Sequence, residues 1–278
     1  MPLVVNTNVA SLDAQKNLSR TSAGLQKSFQ RLSSGFRINS ASDDAAGLAV
    51  SETLKSRIKS FSVAERNTNN GISMAKTAEG GLSEISGIVV RMRELAVQSA
   101  NGDLTSTDRG YIDTEFSALK SEITRLAEST EFNGKELLDG DSTTSISFQV
   151  GIGTDSAQDT ISVDFGGVTL SSLGLSTTNV AGSDASNATT AISAIDSALN
   201  SVSDKRAKFG AAVNRLGVSL SNSQTIRTNL EAANSAIRDV DVAEESSVLA
   251  RSQVLLQAGT SILAQANQAP SLALSLLG

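Results

Sequence analysis

Chemistry needs a nucleophile, a base or a set of ligands, and this chain offers few. Histidine and cysteine are both absent. No thiolate nucleophile, imidazole base, disulfide or imidazole-bound metal is therefore available. Serine and threonine abound, but a hydroxyl needs a neighbouring base to become a nucleophile. Carboxylates remain. Two acidic groups stand out, Asp43-Asp44 and the set Asp239, Asp241, Glu244 and Glu245. The first invites an acid/base or metal reading and the second a calcium site. Both also sit where a helix would begin. Ser40 with Asp43 has capping-box spacing, Asp241 with Glu244 is an acidic variant of it, and the helix dipole favours negative charge there. The second group lacks the glycine and the alternating oxygen ligands of an EF-hand loop. We read both as helix starts and assign no catalytic residue, cofactor or metal ligand.

The elements that would carry any function are helical. Net charge is −6, and no basic stripe is present to meet nucleic acid. The two prolines, Pro2 and Pro270, lie at opposite ends, so nothing between them bars long helices. From Gly71, the residues Ala75, Ala78, Leu82, Ile85, Val89, Met92 and Ala96 alternate in steps of three and four, the seam of a packed helix. Ile112, Phe116, Leu119, Ile123 and Leu126 repeat it after a turn at Asn101-Gly102, with Thr105 and Asp108 as a cap. A third seam runs over 189–238 through Ile195, Val202, Phe209 and Leu216. Gly210 and Gly217 lie inside it and are expected to admit a close helix approach. Between these, residues 140–188 alternate at Ile146, Phe148 and Val150 and at Ile161, Val163 and Phe165, which predicts strands. Gly166-Gly167 before Val168-Thr169-Leu170 predicts a hairpin turn, followed by a Ser/Thr-rich surface loop. The fold class is mainly α: a long antiparallel bundle or coiled coil formed by the two terminal regions, with a small β-hairpin element in the middle.

The two ends stand apart. Leu18, Leu25 and Leu32 recur every seventh position in a helix over about 3–35. From Val248 an apolar doublet recurs at the same interval: Val248-Leu249, Leu255-Leu256, Ile262-Leu263 and Leu276-Leu277. A seven-residue apolar repeat lays one helix against another. No charge follows Arg251, and a charge-free helix end needs burial on several sides. A membrane is the wrong partner, because Gln253, Gln257, Gln265, Asn267 and Gln268 interrupt the run and no basic flank anchors it. These ends are expected to be poorly ordered in the free monomer and to fold as copies stack head to tail into a helical polymer. We expect an inner terminal coiled-coil domain from 1–40 and 240–278, and a helical bundle domain from 41–239 with the β insert at about 140–188. The start Met1-Pro2-Leu3-Val4-Val5 does not read as a secretory signal peptide.

The chain resembles bacterial flagellin, of a short form without large outer domains. The resemblance rests on Asn6-Thr7-Asn8-Val9-Ala10-Ser11-Leu12, on Leu32 to Ala41 with Asp43 to Ala49, and on Arg93 to Asn101. Phe132-Asn133-Gly134 and Gln265-Ala266-Asn267-Gln268 complete it. It implies a non-enzymatic structural subunit, exported unfolded and polymerised through its terminal helices into the extracellular filament used for swimming. Its implied partners are copies of itself, an export chaperone, the filament cap and hook–filament junction proteins. A toll-like innate-immune receptor is a further partner, through Arg91, Leu95 and Glu115, which we place off the seams. The alternative within the same flagellar family is a hook–filament junction protein.

Overall fold

The computed structural model describes residues 7–140 and 145–275, with side chains to Gln268. Helix α1 (Val9–Ser34) starts at Asn8, whose side chain accepts the Ser11 N–H, and stops at Gly35, which takes φ +74°. Helix α2 (Ala45–Ser99) follows Asp44, whose Oδ1 accepts the Gly47 N–H at 2.8 Å. Helix α3 (Ser106–Ser129) opens on a full capping box between Thr105 and Asp108. Strands β1 (Glu131–Phe132) and β2 (Lys135–Glu136) pair around Asn133 and Gly134, which take φ of 53° and 73°, the left-handed pair that a two-residue hairpin requires. Strand β3 (Ile146–Gln149), the short helix α4 (Ser156–Asp159) and strand β4 (Thr160–Val163) come next. Helices α5 (Ser186–Arg238) and α6 (Val242–Ser275) end the chain. Asp241 Oδ1 accepts the N–H groups of Ala243 and Glu244 and so caps α6. The carboxylates of Asp44 and Asp241 thus cap helix starts, whereas that of Asp43 binds the N–H groups of Asn39 and Ser40 in the turn before α2, which begins at Ala45 and not behind a Ser40 cap.

Two compact units result, one of Met1–Ser56 with Asn229–Gly278 and one of Arg57–Thr228. In the second, one core unites α2, α3 and α5. Ala75, Ala78, Leu82, Ile85, Val89, Met92 and Ala96 are all fully buried, with Phe116 and Ile123 from α3 and Ile195, Val202, Phe209 and Leu216 from α5. The three-four rhythm is the cause: it puts one apolar stripe on each helix, and burial of a large aliphatic side chain contributes about 1.5–3 kcal/mol.

Three features differ from the sequence reading. The Gly166-Gly167 pair is not a hairpin turn. β3 pairs antiparallel with β4, Ile146 opposite Val163 and Phe148 opposite Ile161, while Gly167 packs backbone to backbone on Gly140, leaving no room for a Cβ on either. The Ser/Thr-rich stretch after it is not a free surface loop, since Val168, Leu173, Leu175 and Val180 plug into the core. No neighbour approaches within 4 Å of the Cβ position of Gly210 or Gly217; those glycines serve no close helix contact in this unit. Gly71 does: a Cβ there would stand 3.0 Å from the Phe148 ring. Gly71→Val is expected to lift the β3–β4 hairpin off α2 and cost about 1–3 kcal/mol, read as a lower urea midpoint. An unchanged midpoint would show that the ring can move aside.

Arg109 carries the connection between α2 and α3. It is only 3% exposed. Its Nε donates to the Ser99 carbonyl at 2.9 Å, Nη2 to Asn101 at 2.9 Å and Nη1 to Ser183 at 3.4 Å. Ser99 and Asn101 carry carbonyls at the end of α2, where a cation complements the helix dipole.

Candidate assembly interface

In the terminal unit α1 and α6 lie side by side and antiparallel. Four contacts fix their register. Asn8 Nδ2 donates to the Ala266 carbonyl at 2.8 Å, Ser11 Oγ to Asn267 Oδ1 at 2.7 Å, and Arg31 Nη1 meets Glu245 Oε2 at 3.2 Å. Between them Leu18 Cδ1 stands 3.1 Å from the Cβ position of Gly259. That register sets Leu25 opposite Ser252, and Leu249, Leu256 and Leu263 opposite Ser28, Thr21 and Ala14. Each leucine faces a small residue on the other helix, so the two backbones approach and the leucines interleave. The sequence reading found the leucines and missed their counterparts. The signal was there, in small residues recurring every seven positions at Ala14, Thr21 and Ser28 and at Ser252, Gly259 and Ala266.

The register splits the doublets. Leu249, Leu256 and Leu263 turn toward α1 and are half-buried, as are Leu18, Leu25 and Leu32. Their neighbours stay out: Val248 is 40%, Leu255 52% and Ile262 57% exposed. Leu255 and Ile262 line a groove of about 200 Å³ with Leu18, Thr21, Ala258 and Gly259. Val254 on α6 and Val9, Leu12 and Phe29 on α1 are exposed as well. An uncovered apolar surface of this kind marks an interaction site. Leu276 and Leu277 lie outside the described residues.

At the other end of the pair the two helix breaks are tied together. Phe36 and Asp239 form an antiparallel bridge, with the Arg37 N–H donating to the Arg238 carbonyl at 2.7 Å and the Val240 N–H to Gly35 at 3.0 Å. The Arg238 guanidinium lies 4.7 Å from the Phe36 ring centre and 2.7 Å from Glu52. Asp43 joins α1 to the same turn, through Lys27 at 2.7 Å and the N–H groups of Ser40 at 3.1 Å and Asn39 at 3.3 Å. The bond from Lys27 is the first cause that holds the Asp43 carboxyl far below the usual carboxylate range, with the Ser40 backbone next. A lowered carboxyl contributes stability that is complete above the unfolded value, about 4, and lost as pH falls through the folded one. Asp43→Asn is therefore expected to lower the melting temperature at neutral pH and to flatten its decline below about pH 4. Parallel melting curves for the two proteins between neutral and acid pH would refute this.

The three residues grouped by resemblance divide. Arg91 and Glu115 sit at the surface and pair at 2.9 Å, with Arg91 also on Glu94 at 2.8 Å. Those two carboxylates, Glu94 first, raise the Arg91 pKa. Leu95 is 2% exposed and belongs to the core. It is not off the seam, because α2 buries 92, 95, 96 and 99 as one stripe that faces more than one neighbour.

The paired terminal helices and their exposed heptad stripe present an apolar surface of the kind that marks an interaction site. Residues 5–143 match the bacterial flagellin N-terminal helical region and residues 192–277 the bacterial flagellin C-terminal helical region. The chain belongs to the bacterial flagellin family. It is 41% identical over 275 residues to a flagellin of Halalkalibacterium halodurans, covering 99% of this chain and 100% of that one. It is 40% identical over 288 residues to the flagellar filament 33 kDa core protein of Treponema phagedenis, covering 99% and 100%. The crystal structure of Bacillus cereus flagellin superposes with a TM-score of 0.51 at 36% identity, over 61% of this chain and 94% of that one. No helix among the described residues is long and apolar enough to cross a membrane.

Proposed function

We propose that this chain is the structural subunit of a bacterial flagellar filament, without enzymatic activity, exported through the flagellum's own channel and polymerised outside the cell. The observation that carries the reading is the split of the doublets. Leu249, Leu256 and Leu263 close the α1–α6 pair within one subunit, and Val248, Leu255 and Ile262 remain as a stripe for the neighbours. On this reading residues 1–40 and 240–278 serve as the coiled-coil domain through which subunits polymerise, and 41–239 as the helical bundle domain. The full-length match to flagellins supports this over a hook–filament junction protein. An export chaperone, the filament cap and junction proteins are further partners on the same reading. Contact with a toll-like receptor rests on Arg91 and Glu115 at the surface, with Leu95 supporting α2 from within. Activation of a receptor reporter by Arg91→Ala at the wild-type level would remove that arginine from the contact.

The test is negative-stain electron microscopy of the full chain, incubated with filament seeds and a precipitating salt, beside a chain ending at Asp239. Long filaments from the first and none from the second are expected. A monodisperse soluble protein from both would overturn self-assembly.

A further inference from the structure

Three Asn–Gly pairs occur in the chain, Asn70-Gly71, Asn101-Gly102 and Asn133-Gly134. In such a pair the glycine nitrogen can attack the asparagine side-chain carbonyl, since glycine leaves the approach open. The backbone decides which pair can do it. Asn70 and Gly71 lie inside α2, where the ladder engages the amide and the Phe148 ring closes on Gly71. Asn133 and Gly134 are locked at positive φ between β1 and β2; turning the amide toward the side chain there would break the hairpin. Asn101 and Gly102 lie past the end of α2, in no helix or strand, and both are exposed. Nothing stands within 4 Å of the Gly102 Cβ position.

One group acts on this pair alone. Arg109, 3% exposed, donates from Nη2 to the Asn101 carbonyl at 2.9 Å. That carbonyl and the Gly102 N–H belong to one peptide group. A fixed cation on its oxygen draws electron density from it and makes the N–H easier to deprotonate.

We propose that Asn101 is a self-modifying site, deamidated by the Gly102 amide under polarisation by Arg109. The Gly102 nitrogen gives its proton to solvent base and bonds to Asn101 Cγ. The Cγ–Nδ2 bond breaks as the leaving nitrogen takes a proton from solvent, and ammonia departs, closing a five-membered imide. Water then adds to either imide carbonyl and opens the ring to aspartate or isoaspartate. The step is a hydrolysis with no redox change. It places a carboxylate, or an extra backbone carbon, at the exposed turn between α2 and α3. Arg109 is a positioning residue here, since it touches the peptide carbonyl and not the bond that breaks.

The test incubates the folded full chain in mildly alkaline buffer and follows each asparagine by peptide mass mapping. Asn101 is expected to convert about tenfold faster than Asn70 or Asn133, with the difference abolished in urea, and Gly102→Ala to slow it about tenfold. Arg109→Gln is expected to slow both conversion and base-catalysed hydrogen exchange of the Gly102 amide, whereas mere loosening of the turn would speed exchange. Equal conversion at the three sites, conversion led by Asn133, or faster Gly102 exchange in a folded Arg109→Gln protein would each overturn the proposal. Should that variant not fold, the comparison of the three sites and of Gly102→Ala decides it.

Discussion

Leu255→Asp is expected to leave the monomer folded and to stop filament growth. Leu255 is 52% exposed in the open groove that α6 forms beside Leu18 and Thr21 of α1, so an aspartate there stays in water in the free subunit. In a polymer that covers the stripe, the same carboxylate is buried without a partner, which costs about 3–5 kcal/mol. That raises the concentration needed for growth at least a hundredfold, since each 1.4 kcal/mol is a factor of ten. Leu256→Asp makes the useful contrast. Leu256 is half-buried and faces Thr21 in the register set by the fixed contacts, so its loss opens the α1–α6 pair itself. Circular dichroism separates the two: unchanged helicity for Leu255→Asp, reduced helicity for Leu256→Asp. Sedimentation after seeding reads the polymer. Normal filaments from Leu255→Asp would show that the stripe is not where subunits meet.

Arg109→Met should destabilise the unit of residues 57–228 by about 3 kcal/mol, because the buried guanidinium's bonds to three carbonyls, one of them on the fully buried Ser99, are lost at once. For a domain of this size the melting temperature would fall by about 10 °C. Methionine keeps much of the apolar stem, so the loss reports the guanidinium and not the packing. Arg125→Met is the control. Arg125 pairs with the nearby Glu122 at the surface, and an exposed pair contributes about 0–1 kcal/mol. Equal melting temperatures for the Arg109 and Arg125 variants would mean that water replaces the guanidinium at no cost.

The helices were legible because their burial is periodic. Seven seam residues of α2 read from spacing, Ala75 to Ala96, are all fully buried. Leu95 escaped because a seam of two positions per heptad describes one neighbour, and the middle of α2 packs against more. The β insert was half legible. Alternation at Ile146 and Phe148 and at Ile161 and Val163 marked the strands, but their pairing is set by partners that spacing does not encode, Phe148 on Gly71 among them. Gly166-Gly167 misled for the same reason: glycine pairs serve turns and close backbone approaches alike, and only the fold shows Gly140 opposite. At the terminal pair the leucines announced a helical partner. Which leucine of each doublet turns inward was fixed by small residues on the opposite helix, more than two hundred positions away in sequence.

The interleaving of α1 and α6 repeats every seven residues, so it resembles a ruler with identical marks. Sliding one helix past the other by one heptad, about 10 Å, would again set most leucines against small residues. The apolar contacts alone therefore define a set of nearly equivalent alignments. What singles out one is polar: Asn8 on Ala266 and Ser11 on Asn267 at one end, Arg31 on Glu245 at the other. The few hydrogen bonds at the ends of the pair set its axial position, while the apolar interior supplies adhesion that is indifferent to it.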